Sequence, residues 1–414
     1  MSRKIMCTIA ILACTVCTVM TTTSARAKEH VKPEFELMHL WLTPIEEPAL
    51  ATIRNIAFKA GFAWKEHRVE GNFYGVRLAL AERVALGLPP TAVFWIGSID
   101  RNAISGAALF RKIPFNAMSN DFSQSLRPEI KDLIQAGDGY TTLPLVIHLQ
   151  NIAVINTEAF AKIGAEPPTS WSEFIELAPR LAAAGIAPIS VSDERWLLRF
   201  LFLSIFVEGL SKPQFTALLT GNVDKAQFIG HATNAMSTFR SLKQYANSDS
   251  HEISWSDAVQ RVINGSAALT ITGDFAAPAI RGHEHIVCRP PPGNRLVMWS
   301  FDVLAFPNST SDEQAEVQQA AFRAFSSKDA LKEFGQKKGG IPVIRDLDPL
   351  TLDHCSQQSL KTWEDSERVL LTYNLWRLQL NSMASLAQHV WTDDTLHLEN
   401  VAAQLYDELA HSLH

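Results

Sequence analysis

The sequence predicts an α/β protein, and three observations carry that prediction. Strand-like and helix-like apolar patterns alternate along most of the 414 residues. One strand, "PPTAVFWIG", is a continuous apolar run, as expected where both faces of a sheet are covered. The helices between the strands carry their own start and stop residues.

The first strand lies in "FELMHLWLTPIEEPAL", Phe35 to Leu50. A short apolar stretch leads to Trp41, Thr43-Pro44 breaks it, and Glu46-Glu47 precede apolar residues at helical spacing from Leu50 to Ala60. Acidic residues at that point favour the positive end of a helix. "AWKEHRVEG" reads as a second strand ended by Gly71, and "YGVRLALAERVALG" as an amphipathic helix closed by Gly87. With "PPTAVFWIG" following, the strand–helix order predicts a parallel sheet with right-handed crossovers. A second unit begins near "LPLVIHLQNIAVINTEAF", with an apolar strand from Asn151 to Asn156. "PPTSWSEFIELAPRLAAAG" is a helix capped by Thr169 or Ser170 and ended at Gly185. Helices are expected to dominate Glu194–Ala246, then "AVQRVINGSAALTITGDF" reads helix, turn, strand. A Pro-rich break, "RPPPGN", precedes the strand "VMWSFDVLAF"; a helix over Ser311–Phe334, a loop through "GQKKGGIPVIRD" and a mainly helical tail complete the expectation.

The first residues carry Arg3 and Lys4, an apolar run from Ile5 to about Met20, and Ala25-Arg26-Ala27. That is the pattern of a cleavable secretory signal over residues 1–27, since roughly 16 apolar residues fall short of the ~20 that a membrane span needs. Removing 27 of 414 residues leaves 387, enough for two domains with substantial cores. It also removes three basic residues and no acidic one from a chain of formal charge −6, leaving about −9. A chain this acidic is not expected to bind nucleic acid or an anionic membrane. Cys7, Cys14 and Cys17 leave with the signal, so Cys288 and Cys355 remain, either bridged in an oxidising compartment or as two buried thiols.

A set of collinear motifs then becomes specific. "HLWLTPIEE", "LAERVALGLPPTAVF", "IHLQNIAVIN", "PPTSWSEFIELAPRLAAAG", "GDFA", "PPGNRLVMWSFD", "KGGIPVIRD" and "SLAQHVW" occur in order from Phe35 to Trp391. Together they resemble the extracellular solute-binding proteins of bacterial ABC transporters, in the branch that binds glucose and mannose. The resemblance implies the type II periplasmic-binding-protein fold: two hinged α/β lobes around an inter-lobe ligand cleft. By position, the lobes are expected at residues 28–145 plus 302–341 and at residues 146–301 plus 342–414. It also implies a Cys288–Cys355 disulfide, export to the periplasm, capture of a sugar, and delivery to an inner-membrane permease by a monomer without cofactor or catalytic role.

Site residues follow from the same motifs. Trp41 is expected to stack on a sugar ring and Glu46 to accept its hydroxyl protons, against a core role for the indole and a helix-start role for the carboxylate. His148 and Asn151 match the "H--N" of the lobe junction, Asp274 the "GDW" motif, Asp302 a cleft aspartate and Lys338 a cleft lysine. Trp196 is expected as a second stacking ring or as core. Gln388 and His389 stand where the family has "AHG". The departures bear on which sugar is read. Thr43-Pro44-Ile45 replaces Ser-Gly-Gly, Phe94 replaces a glutamine, and Ile152 and Val154 replace two tryptophans. A sugar acid, polyol or oligosaccharide is the alternative ligand class. A glycan-acting enzyme using Glu46 and Asp302 as an acid–base pair is the alternative activity. His283, His285 and Cys288 in "GHEHIVC" have metal-ligand chemistry, but a bridged Cys288 could not serve, so no metal is expected.

Overall fold

The computed structural model describes residues 32–70, 73–98, 109–117, 120–345, 347–374 and 377–411. The signal segment lies outside these residues. Glu34–His39 forms β1, with every residue after Glu34 buried. Glu47–Lys59 forms α1, Ala63–Arg68 β2, Phe73–Ala85 α2 and Ala92–Ile96 β3. β1 lies between β2 and β3 and pairs with both in parallel, as the strand–helix alternation predicts. Helix α1 starts with Glu47 and Pro48 in its first turn and ends with Lys59, charges that suit both ends of its dipole.

Thr142–Leu149 forms β4, buried along its whole length, and Ile152–Asn156 forms β5. The helix Trp171–Ala183, α3, is capped by Ser170, whose hydroxyl accepts from the Glu173 amide at 3.1 Å. It ends before Gly185, which takes a left-handed φ of 75°. Ala187–Ile189 is β6, Arg195–Phe206 α4, Trp255–Ile263 α5 and Ala267–Thr272 β7. Ile286–Arg289 is β8 and Leu296–Ala305 β9. The single helix expected over Ser311–Phe334 is two helices, α6 at Asp312–Phe325 and α7 at Lys328–Lys338. Ser327 makes the break by accepting from the Ala330 amide and capping a new helix, a local alternative that serine offers to a continuous ladder. Ile341–Pro342 is β10, His354–Asp365 α8, Glu367–Leu370 β11 and Arg377–Thr392 α9.

These strands make two main sheets. The larger runs β10-β4-β9-β3-β1-β2, with β11 also paired to β9; the smaller runs β8-β5-β7-β6. β9 is antiparallel to β4 and to β3, and parallel to β11. β4 and β9 belong whole to the larger sheet, so positions 146 and 301, expected as lobe crossings, are strand interiors. After Pro144 the run "LVIHL" carries no punctuation that would mark a crossing at Val146. The chain leaves this sheet at Gln150-Asn151, where a clamp holds the outgoing and returning segments together. The Gln150 amide donates to the Met298 carbonyl at 2.7 Å, Asn151 Oδ1 accepts from the Met298 amide at 2.7 Å, and Asn151 Nδ2 donates to the Leu296 carbonyl at 3.2 Å. The tail segment β11 also lies on the larger sheet, although the tail as a whole was expected in the other lobe.

Cys288 of β8 and Cys355 of α8 form a disulfide, with Cα atoms 5.3 Å apart and a sequence separation of 67. It fastens the edge of the smaller sheet to a tail helix. Closing a loop of that length restrains the unfolded chain by about 4 kcal/mol on the chain-entropy account. Cys288→Ser with Cys355→Ser is therefore expected to lower the unfolding free energy by roughly that amount. Equal denaturant midpoints for oxidised and reduced protein would refute the bridge.

Candidate functional site

The core of the site is a histidine between two carboxylates. In the β4–β9 register His148 faces Ser300 and Asp302 faces Val146, so His148 and Asp302 are diagonal neighbours on one face of the larger sheet. The ladder slips just beyond this pair: Asp302 faces Val146 but Val303 faces Pro144, so Leu145 is an extra residue and β4 bulges there. His148 Nε2 lies 3.3 Å from Asp302 Oδ2. His148 Nδ1 lies 2.8 Å from Oδ1 of Asp274, which follows β7 of the smaller sheet. The imidazole thus ties the two sheets together. All three groups are buried: His148 is 3 % exposed, Asp274 1 % and Asp302 6 %. Burial alone would pull the His148 pKa down, but the charge of Asp302 and the hydrogen bond to Asp274 outweigh it and raise the value above 6.5. The two carboxylates favour the protonated form of the ring. The second Asp274 oxygen, Oδ2, is buried and has no donor among the described residues.

Two glycines bring a third element against this group. Gly339 and Gly340 follow α7 with φ of 78° and 92°. A Cβ on Gly340 would stand 2.6 Å from the Ile147 carbonyl oxygen and 2.8 Å from His148 Nδ1, so only glycine allows the approach. The turn delivers Lys338, 5 % exposed, between the halves. Its ammonium lies 5.5 Å from the Phe275 ring, beside Asp274, and 6.0 Å from the Trp41 ring. It is also 4.0 Å from Glu46 Oε1. Glu46 folds back on its own turn, where Oε2 accepts from the amides of Leu42 and Thr43 at 3.1 Å and from the Thr43 hydroxyl at 2.9 Å. It makes no side-chain cap of α1. Trp41 is 3 % exposed and packs on Phe94 at 5.0 Å and Phe334 at 5.8 Å, so its ring lies in the core with the ammonium over it.

Phe275 joins the groups of the smaller-sheet half. Its ring meets His148 at 5.7 Å, Trp196 at 5.9 Å and Trp255 at 5.1 Å. Trp196, partly exposed, donates its indole N–H to Glu194 at 2.7 Å. The structure thus brings Trp41, Glu46, His148, Trp196, Asp274, Asp302 and Lys338 into one connected group. Asn151 stands apart as the crossing clamp. Gln388 lies beside the segment that carries Trp196, accepting from Arg195 Nε at 2.6 Å, while His389 is exposed on the next position of α9. Phe275 and Trp255 were not singled out from the sequence. Phe275 sits in the quoted "GDFA", where the motif carries an aromatic, and that was the available signal. A surface cavity of about 610 Å³ near Ser125, Lys131 and Arg345 contains none of these residues.

Another histidine holds the Trp41 turn. His39, fully buried, accepts from the Trp41 amide at 3.2 Å through Nδ1, and its Nε2 lies 3.5 Å from Glu66 Oε1. Burial lowers its pKa from 6.5 to about 4 despite Glu66. The two histidines limit stability from opposite sides. Below the ordinary value of about 6.5 the unfolded chain protonates while buried His39 does not, so stability falls as pH drops toward 4. Above about 6.5 the unfolded chain loses the proton that His148 keeps, so stability falls again until pH passes the raised native value. Each arm has a slope of at most ~1.4 kcal/mol per pH unit. Urea unfolding across pH is expected to show both arms, with His39→Gln flattening the acid one and His148→Gln the alkaline one; arms unchanged in the variants would contradict the assignment. Gly340→Ala is expected to lower stability by roughly 1–3 kcal/mol, with a wild-type melting temperature as the contrary result.

The sequence profile of the bacterial extracellular solute-binding protein family matches residues 78–318. A probable sugar-binding periplasmic protein of Mesorhizobium japonicum is 24% identical over 335 residues, covering 79% of this chain and 80% of the relative. One of Rhizobium meliloti is 25% identical over 368 residues, covering 87% and 86%. Among solved structures, a chitin oligosaccharide binding protein superposes with a TM-score of 0.77 at 16% identity, covering 92% of this chain and 98% of that one. Maltose-bound T. maritima MalE3 does so with 0.75 at 14%, covering 92% and 99%. These likenesses establish the fold as the type II periplasmic-binding-protein class. With the profile spanning more than half of the sequence, the chain belongs to the bacterial extracellular solute-binding protein family.

Proposed function

We propose that this protein captures a neutral sugar in the periplasm and hands it to an inner-membrane ABC permease, without catalysing a reaction. One observation carries the reading: a buried Asp274–His148–Asp302 group, with a carboxylate oxygen of Asp274 that has no donor among the described residues, lies against the Phe275 ring, which in turn meets Trp196. A sugar offers both complements. Its hydroxyls donate to carboxylate oxygens, and its C–H face packs on an aromatic ring. The names of the relatives, which are sugar-binding periplasmic proteins, support the same reading. A non-catalytic role suits Glu46, whose Oε2 is already engaged by three donors of its own turn. Three carboxylates in the group, Glu46, Asp274 and Asp302, against two cations, His148 and Lys338, favour a neutral sugar over a sugar acid. The glucose–mannose branch is the first choice to test among neutral sugars. The lobes would close on the ligand about the Gln150-Asn151 crossing and its return at Leu296, and the permease would recognise the closed form.

A thermal-shift panel of monosaccharides, polyols, sugar acids and short oligosaccharides is expected to give at least one neutral stabilising ligand, since binding to the native state raises the melting temperature. Asp302→Asn is expected to weaken that ligand at least about tenfold. A panel without any shift, or one led by sugar acids, would overturn the proposal.

A further inference from the structure

We infer that Glu194 is a positioning residue: its carboxylate holds the aromatic wall of the smaller-sheet half, fixing the Trp196 ring that a sugar would stack on. The inference deepens the sugar-binding reading and rests on it only for what the ring receives. Three hydrogen bonds from backbone amides bring the chain to Glu194 after β6. The Ser190 amide donates to the Leu269 carbonyl at 2.8 Å, the Val191 amide to Asn247 Oδ1 at 2.7 Å, and the Asp193 amide to the Ser250 carbonyl at 2.9 Å. Glu194 then occupies the N-cap of α4, where a side chain normally accepts from the helix's own first amides. It makes no such bond.

Its two oxygens go elsewhere. Oε2 accepts from the Trp196 indole N–H at 2.7 Å, and Oε1 accepts from the backbone amide of Trp255 at 3.0 Å. The second donor is the first residue of α5, so the carboxylate satisfies an otherwise orphan N–H at the positive end of that helix. One anion therefore joins the starts of two helices whose tryptophans flank Phe275. The indole N–H of Trp196 is consumed by this bond, so the partly exposed residue is left to offer its ring rather than a donor. A hydrogen bond to a charged acceptor is among the stronger ones a side chain makes, enough to hold a partly exposed indole in one orientation.

The test uses the full exported chain labelled with 5-fluorotryptophan, the Trp196 resonance being assigned by its disappearance in Trp196→Phe. Glu194→Ala is expected to shift and broaden that resonance in the ligand-free protein. Glu194→Gln, which keeps the shape but turns an amide N–H₂ toward one of the two donors, is expected to do so in a milder form and guards against a folding defect in the alanine variant. Affinity for D-glucose and maltose, whichever binds the wild type, should fall roughly tenfold in Glu194→Ala, and by less when Glu194→Ala is made in the Trp196→Phe background. An unmoved Trp196 resonance in both Glu194 variants overturns the inference, as does unchanged affinity for a sugar that binds the wild type. If neither sugar binds the wild type, the choice of ligand fails, and the resonance alone still decides what Glu194 does.

Discussion

A charged imidazole removed from water is tolerated only when anions meet it on both sides, and His148 satisfies that condition with carboxylates from two different sheets. Much of the site depends on this arrangement. Asp302 reaches the ring because the β4–β9 register makes the two residues diagonal neighbours, next to the β4 bulge at Leu145. Asp274 reaches it from the turn that follows β7. The pair of glycines after α7 completes the group, since only residues without side chains can pass so close, Gly340 to His148 and the Ile147 carbonyl and Gly339 to Pro278 and the Asp274 carbonyl. The result is a polar core at the meeting of two apolar ones, with one carboxylate oxygen left open.

Around that core the aromatic residues divide by half. Trp41, Phe94 and Phe334 form a closed cluster on the larger-sheet side, and Lys338 covers it. Phe275, Trp196 and Trp255 form a wall on the other side that the ammonium also touches. The lysine is thus a cation between two aromatic surfaces, which makes it sensitive to any separation of the halves. Phe94 stands where the family resemblance places a glutamine, and it packs on Trp41 instead of presenting a polar group.

The motifs found in the sequence were legible because each couples a local signal to a chemical group. Ser170 announces α3, and Gly185 ends it by adopting a conformation that favours glycine. Asp302 stood out because an aspartate in an apolar strand requires a partner, and it has one in His148. Glu194 carried no comparable mark: a glutamate before a helix reads as a weak cap, and its true acceptor role needs α5 to arrive from about 60 residues later. The break at Ser327 was hidden for the opposite reason, because the apolar spacing continues across it while the serine changes the hydrogen bonding.

By itself the sequence determined the alternation of strands and helices, the caps, the parallel pairing of β1 with β2 and β3, and the residues able to carry charge into the interior. All of these follow from spacing within a few residues, where sterics and hydrogen-bonding reach are short. The tertiary structure decided which sheet each strand joined, which carboxylate oxygen stayed open, and which aromatic rings faced each other. Those outcomes depend on contacts between segments far apart in the chain, such as Ile147 with Gly340 and His148 with Asp274. Such contacts are set by packing density and by the pairing of buried charge, which no local pattern encodes.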